Sequence, residues 1–289
     1  MSAAPFDLAH STEIPRLTWE AVFTQWSLDP IVVALLVGIV ALYRLGLGRV
    51  PGFPRRRAIS FFAGAGVVAF ATLSPVATYS EAMFSAHMVQ HLLLTLVAAP
   101  LLVLGAPLAL ALRAASPRAR LRLASVARSG IVRWATHPIV DWSAFGAVMW
   151  ASHLSSLYEA SLHNPLVHGL EHGLYVTASL LFWWPVIGLD PGTRRMSWPV
   201  RLLYVALALP VQSLLGLVLY SSESLLYAHY ELAAAPWGPD PADDQTAAGL
   251  IMWLGGDLLL IAALALMVGA WMRDEERKAR SLDRRAIAP

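Results

Sequence analysis

Two pairs of histidines, each pair four residues apart, are the residues of this chain best suited to chemistry. His87 and His91 lie in the stretch MFSAHMVQH, directly before the apolar run LLLTLVAAPLL, and His168 and His172 lie in HGLEH. Residues four apart share one face of a helix, so each pair presents two imidazoles side by side. Imidazole nitrogens suit copper and zinc. The two pairs therefore predict a metal site with up to four nitrogen ligands.

Five further residues extend this predicted site. His153, Met83 and Met252 are additional candidate ligands, and Glu171 and Asp257 are candidate acceptors for imidazole N–H groups. Because the chain has no cysteine, a soft ligand has to be a methionine, and thioethers beside imidazoles favour Cu(I) over zinc. A single membrane histidine or methionine more often packs or bonds between helices. The prediction therefore rests on the two pairs.

The composition places these residues in a membrane. Of the 289 residues, 57% are hydrophobic and only 14% are charged, whereas soluble domains carry about 25% charged residues. A helix of about 20 apolar residues crosses about 30 Å of hydrocarbon. We therefore predict an all-α membrane protein with seven transmembrane helices. The predicted spans lie near residues 29–47, 58–77, 81–103, 138–160, 164–189, 199–221 and 246–272.

The arginines predict the orientation of these spans. They concentrate in the loops after the first, third and fifth predicted spans, the last of these containing Arg194 and Arg195, and in the C-terminal tail. The other three loops contain no lysine or arginine. Positive residues stay on the cytoplasmic side, which places the N-terminus outside and the C-terminus in the cytoplasm. His87 and His91 then lie about 9 and 15 Å below the outer end of their span.

Three regions follow from this topology. We expect an extracytoplasmic tail at 1–28, a transmembrane domain at 29–272 and a basic cytoplasmic tail at 273–289. The N-terminal segment lacks the basic and apolar regions of a signal peptide, so we expect the first span to be retained. We expect a multi-pass protein of a bacterial cytoplasmic membrane, in contact with lipids. The net charge of +2 gives no reason to expect a nucleic-acid partner.

Three motifs carry a resemblance to a known family. The segments MVQHLLLTLVAAPLLVLGAP (88–107), HGLEHGLYVTASLLFWWPVIG (168–188) and DQTAAGLIMWLGGD (244–257) resemble the integral-membrane CtaG family, which assembles caa(3)-type cytochrome c oxidase. The likeness covers roughly residues 30–272. The residues that match the family motifs are His87, Met88, Gln90, His91, His168, His172, Asp244, Gln245, Gly249, Met252 and Trp253. His153, Met83 and His229 are instead selected by their predicted depth.

The resemblance implies a role in supplying copper to a haem–copper oxidase, as an assembly factor rather than an enzyme. The implied partners are oxidase subunits and a periplasmic copper donor, and a homo-oligomer is compatible with the sequence. The long polar outer loop SSESLLYAHYELAAAPWGPDPADDQ could dock such a partner.

Three alternatives remain open at this point. A zinc-dependent membrane hydrolase would use histidine ligands and Glu171 or Asp257 as the base, although the HExxH signature is absent. A b-type haem protein is less compatible, because i, i+4 spacing compresses the ligands into one layer. A metal-free assembly scaffold would need neither histidine pair. Metal analysis separates copper from zinc.

Overall fold

The computed structural model describes residues 14–189 and 196–287, and every regular element in these ranges is a helix. Outside the described ranges lie residues 1–13 of the predicted extracytoplasmic tail. The same holds for Arg194 and Arg195, two of the arginines that predict the orientation. The α-helices are α1 Trp19–Thr24, α2 Pro30–Arg49, α3 Arg55–Leu73, α4 Pro75–Ser80, α5 Phe84–Leu92, α6 Ala99–Leu104, α7 Pro107–Ala114, α8 Pro117–Ala127, α9 Gly130–Ala135, α10 Pro138–His153, α11 Ser156–His163, α12 Pro165–Ile187, α13 Trp198–Ala206, α14 Ala208–Tyr220, α15 Ala228–Ala233, α16 Pro241–Leu250 and α17 Gly256–Ile287. Two π-helical segments, Leu93–Ala98 and Ile251–Gly255, join α5 to α6 and α16 to α17.

The long helices begin where the sequence provides a cap followed by proline. Asp29 accepts hydrogen bonds from the backbone N–H groups of Ile31 and Val32, at 2.7 and 3.1 Å, and Pro30 opens α2. Asn164 caps α12 in the same way before Pro165. These side chains accept hydrogen bonds from N–H groups that have no partner within the helix. Proline is tolerated at the first helical position, because the N–H that it lacks would have no partner there.

Five helical segments are long and apolar enough to cross a membrane. They are Pro30–Arg49, Arg55–Leu73, Phe84–Ala114, Trp198–Tyr220 and Pro241–Arg284. They match the first, second, third, sixth and seventh predicted spans. The fourth and fifth predicted spans correspond to α10, with 16 residues, and α12, with 23 residues. The structure thus confirms an all-helical chain with membrane-spanning segments, and the count of seven stays a prediction.

The segment from α5 to α6 lies at the centre of the bundle. It contacts α3, α4, α12 and α16, whereas α2 packs only on the outside against α3 and α7. After α6 the chain turns at Ala106, which is fully buried and has a φ of 48°. This left-handed turn separates α6 from α7, which begins at Pro107.

Glycines let α14 approach α16 and its π-helical extension. A Cβ on Gly249 would lie 2.4 Å from the backbone nitrogen of Tyr220, and one on Gly216 would lie 2.6 Å from that of Trp253. Real Cβ atoms do not approach backbone this closely, so both positions require glycine. Small residues at such crossings bring helix backbones together within a membrane.

We expect Gly249→Ala to destabilise the protein, because overpacking a tight contact costs about 1–3 kcal/mol. Gly66→Ala in α3 is the matched control, since nothing lies within 4 Å of a Cβ placed there. Melting temperatures of the two detergent-solubilised variants check this. If Gly249→Ala melts no lower than Gly66→Ala, the described helix approach is wrong.

Candidate metal centre

Three imidazoles from two helices meet in the interior of the bundle. His87 and His91 of α5 and His172 of α12 each offer a ring nitrogen, and these nitrogens all lie within 4.8 Å of one another. The two Nε2 atoms of His87 and His91 are 2.7 Å apart. Both of these residues are almost completely buried. The predicted pairing of the two histidine motifs on facing helices is therefore present in the structure.

Two more histidines complete the cluster. The ring centroid of His168 lies 4.3 Å from that of His172 and 5.8 Å from that of His87. His153, at the end of α10, has its ring 5.7 Å from that of His91 and is 3% exposed. All five histidines named as candidate ligands thus lie together, on three helices.

The hydrogen bonds of the cluster leave several nitrogens free. Nδ1 of His153 donates to the carbonyl of Met149 at 2.7 Å, which leaves its Nε2 with a lone pair. That Nε2, Nδ1 of His87, Nδ1 of His91 and Nε2 of His172 are buried without a hydrogen-bond partner among the described residues. Buried polar atoms nearly always have partners. Each neutral imidazole has one N–H and one nitrogen with a lone pair, so each of these rings can offer one nitrogen to a metal ion, and the residues present fit a nitrogen-bound metal.

A carboxylate from a distant helix fixes the start of α5. Met83 precedes the helix and provides no side-chain cap. Instead Asp244 of α16 accepts hydrogen bonds from the backbone N–H of Phe84, at 2.5 Å, from that of Ser85 and from the Ser85 hydroxyl. A negative group at a helix N-terminus also complements the helix dipole. Asp244 therefore positions the helix that carries His87 and His91.

Below the histidines, α5 continues as the π-helical segment Leu93–Ala98. The Thr95 hydroxyl donates to the carbonyl of His91 at 2.7 Å, and Trp183 Nε1 donates to the carbonyl of Thr95 at 3.0 Å. Gln90 anchors the same turn to α3 by donating to the carbonyl of Ala71 at 2.8 Å. Single-turn π segments are frequent at functional sites. Here the segment directly follows a candidate ligand.

Tyrosines that the sequence did not single out surround the histidines. The ring of Tyr175 lies 4.4 Å from that of His91, and the ring of Tyr158 lies 5.1 Å from that of His87. The Tyr158 and Tyr230 hydroxyls are 2.9 Å apart, and Tyr227 donates to the carbonyl of His153 at 2.8 Å. All four tyrosines are buried. Of these four tyrosines, only Tyr175 could have been selected from the sequence. It lies one helical turn after Glu171 on the helix that carries the second histidine pair.

The two candidate acceptors for imidazole N–H groups, Glu171 and Asp257, lie in different surroundings. Glu171 is buried, and neither of its oxygens has a hydrogen-bond partner among the described residues. The hydroxyls of Ser161 and Tyr175 lie beside it, and Ser161 donates instead to the carbonyl of Tyr158. Asp257 accepts hydrogen bonds from the Ser213 hydroxyl of α14, at 2.8 Å to each oxygen. The structure therefore joins Asp257 to α14 rather than to an imidazole.

The candidate methionines lie in other surroundings. Met83 is half-buried and lines a small outer crevice with Tyr230 and Asp244. Met252 is 2% exposed within the apolar core, and its carbonyl accepts a hydrogen bond from Gln212. Their role as ligands stays a prediction.

Two further histidines, the exposed His163 and the half-buried His229, are not among the five clustered rings. His229 donates from Nε2 to the carbonyl of Glu81 at 3.0 Å, and its ring is 5.3 Å from that of His163. His163 in turn contacts the carboxylate of Glu159 at 3.3 Å. These residues belong to the same end of the bundle as the start of α5.

A buried group of histidines inside a bundle of apolar helices defines a helical membrane protein with a preformed histidine centre. A family profile described as cytochrome c oxidase caa3 assembly factor (Caa3_CtaG) matches residues 14–274. The chain therefore belongs to the Caa3_CtaG family.

Curated relatives are themselves uncharacterized proteins. One from Mycobacterium leprae is 30% identical over 282 residues, which are 91% of this chain and 42% of the relative. Relatives from Mycobacterium bovis and Mycobacterium tuberculosis are each 29% identical over 294 residues, covering 97% of this chain and 44% of the relative. The chain thus spans less than half the length of these relatives. No solved structure matches it.

We expect Asp244→Ala to loosen α5, since loss of a cap costs about 0.5–2 kcal/mol. The melting temperature should fall by a few degrees, and the buried His87 and His91 should react faster with diethyl pyrocarbonate. Asp243→Ala is the matched control, because Asp243 is the exposed neighbour in the sequence. Equal modification rates in the two variants would contradict the positioning role of Asp244.

Proposed function

We propose that this protein binds copper at the histidine cluster and supplies it during assembly of a haem–copper cytochrome c oxidase. The observation that carries the proposal is the meeting of ring nitrogens from His87, His91 and His172 within 4.8 Å. Membership of an oxidase assembly-factor family supports the destination of the copper. His153 and His168 are close enough to add a further ligand or to replace one during exchange.

Charge favours Cu(I) over a divalent ion at this centre. The candidate ligands are neutral imidazoles, and His87, His91 and His153 are at most 3% exposed. The cost of bringing an ion into an apolar interior rises with the square of its charge, so a monovalent ion is far easier to bury. Copper is the cargo in this proposal, held by imidazole nitrogens and released from them. Zinc with Glu171 as a base is the second candidate, because that carboxylate is buried without a partner.

The protein's own residues prepare the cluster for such a cargo. The carbonyl of Met149 holds the proton of His153 on Nδ1, and the Asp244 cap holds the helix of the first pair. The surrounding tyrosines limit access of water. These fixed partners correspond to the outer contacts that orient metal-binding histidines in other proteins.

We further propose seven spans, with the N-terminus outside and the histidine cluster near the outer leaflet of a bacterial cytoplasmic membrane. The alternation of arginine-rich and arginine-free loops supports this orientation. A periplasmic copper donor and oxidase subunits would then meet the protein on the side of α11 and α15.

Copper binding tests the proposal directly. The double variant His87→Leu/His91→Leu removes two ligands but also both partners of their mutual contact, so the fold should survive. In metal sites, loss of a residue that only hydrogen-bonds to a metal ligand already lowers metal affinity or activity about 10–100-fold. We expect Cu(I) affinity, measured by competition with a chromogenic chelator, to fall by more than about 100-fold. In cells, oxidase activity should fall and excess copper should restore it.

The control variant is His163→Ala, which removes an exposed histidine outside the cluster. It should retain wild-type copper affinity. Unchanged copper binding in the leucine variant would show that the cluster does not hold the copper and would overturn the proposal. Unchanged oxidase maturation together with lost copper binding would favour a metal-free scaffold. Wild-type protein that holds zinc tightly and binds no copper would favour the hydrolase.

Because the chain has no cysteine, single cysteines can report topology without background. We expect Glu223→Cys, after α14, to react in intact cells with a membrane-impermeant maleimide. Ser125→Cys, in the arginine-rich helix α8, should react only after the cells are opened. Both positions are exposed. The reverse pattern would place the histidine cluster on the cytoplasmic side.

A further inference from the structure

A cavity lies at the opposite end of the bundle from the α5 cap. It has a volume of about 470 Å³ and lies among α3, α6, α12, α13 and α17. Four arginines line it: Arg56 and Arg57 at the start of α3, Arg201 on α13 and Arg273 on α17. The histidine centre does not use any of these residues.

The lining changes from charged to apolar along each wall. On α17 it runs from Arg273 through Ala270 and Leu266 to Ala263, a distance of about 15 Å at 1.5 Å per residue. This is half of a hydrocarbon core about 30 Å thick, the depth of one leaflet. On α12 the wall is formed by Trp183, Val186 and Ile187, which are all apolar or aromatic. The cavity therefore combines a cationic rim with a leaflet-deep apolar interior.

The rim carries uncompensated positive charge. The ion pairs of the described residues do not include Arg56, Arg57 or Arg273. The acidic neighbour Asp274 accepts from Trp198 Nε1 at 3.1 Å and pairs with Lys278 at 3.2 Å. Arg201 donates to the carbonyl of Met196, and its guanidinium lies 4.8 Å from the Trp198 ring centroid. Three arginines are thus available to an anionic group.

We propose that this cavity binds an anionic phospholipid. The phosphate contacts Arg56, Arg57 and Arg273, and one acyl chain lies between α6, α12 and α17. Basic pockets between transmembrane helices are suited to anionic headgroups. A soluble anion would not need the apolar interior, and a zwitterionic lipid would leave the rim charge without compensation. This lipid site does not depend on copper binding or on which side of the membrane each terminus lies. It requires only that the end of the bundle with the rim arginines lies at a membrane surface.

Native mass spectrometry of the delipidated full-length chain tests this site. The probes are phosphatidylglycerol and phosphatidylcholine with identical acyl chains. We expect phosphatidylglycerol to bind at least about 10-fold more tightly. The triple variant Arg56→Gln/Arg57→Gln/Arg273→Gln should lose this preference, since each basic residue near an anionic surface contributes several-fold to binding. Ala270→Trp should weaken binding with all arginines present, because the indole fills the cavity.

The control is Arg118→Gln/Arg122→Gln/Arg128→Gln, which removes three exposed arginines away from the cavity, two in α8 and Arg128 at its C-terminal cap. It should bind phosphatidylglycerol like the wild type. If both triple variants lose the preference for phosphatidylglycerol equally, the preference reflects general electrostatic attraction. The proposed lipid site is then wrong. Displacement of the lipid by millimolar inorganic phosphate, with Ala270→Trp unaffected, would also overturn it in favour of a soluble anion site.

Discussion

An imidazole in an apolar interior must find a partner for each ring nitrogen or leave that nitrogen to an ion. This chain places five imidazoles together inside a helical bundle, with four of their nitrogens buried and without protein partners. Such an arrangement is costly for a protein that only needs to fold, because leucine would pack there without polar atoms. The cost becomes understandable when the nitrogens have a ligand to bind. The rest of the structure serves to hold these rings in position.

The supporting contacts connect distant parts of the sequence. Asp244 reaches the start of α5 from 160 residues further along the chain. Gly216 and Gly249 bring α14 and α16 into backbone contact, which fixes the helix that carries Asp244. Tyr227 binds the carbonyl of His153 from the outer loop. Helix-to-helix contacts of this kind hold the helices that carry the histidines in place.

Local patterns predicted the helices and the two histidine pairs well, because the helical period and the length of apolar runs are properties of short segments. The same patterns grouped His153 with the pairs by the depth of its span, and the structure places its ring 5.7 Å from that of His91. They could not find the cap formed by Asp244 or the tyrosine shell, which depend on contacts between remote segments. Asp257 is the opposite case, a residue that the sequence patterns selected and the tertiary structure places elsewhere. It has a suitable depth and residue type, yet its rotation about α17 directs it to Ser213.

The charge distribution along the bundle bears on the direction of copper transfer. The histidine end contains neutral nitrogens and backbone carbonyls, whereas the opposite end carries arginines on α3, α8, α13 and α17. A cation that left the histidines toward the arginine end would cross apolar core and approach positive charge, both of which are unfavourable. For the proposed copper cargo, the lower-energy exit would therefore be the end by which it entered. The proposed centre would then load and unload on one side, which suits transfer between two partners on the same face of the membrane and not conduction through it.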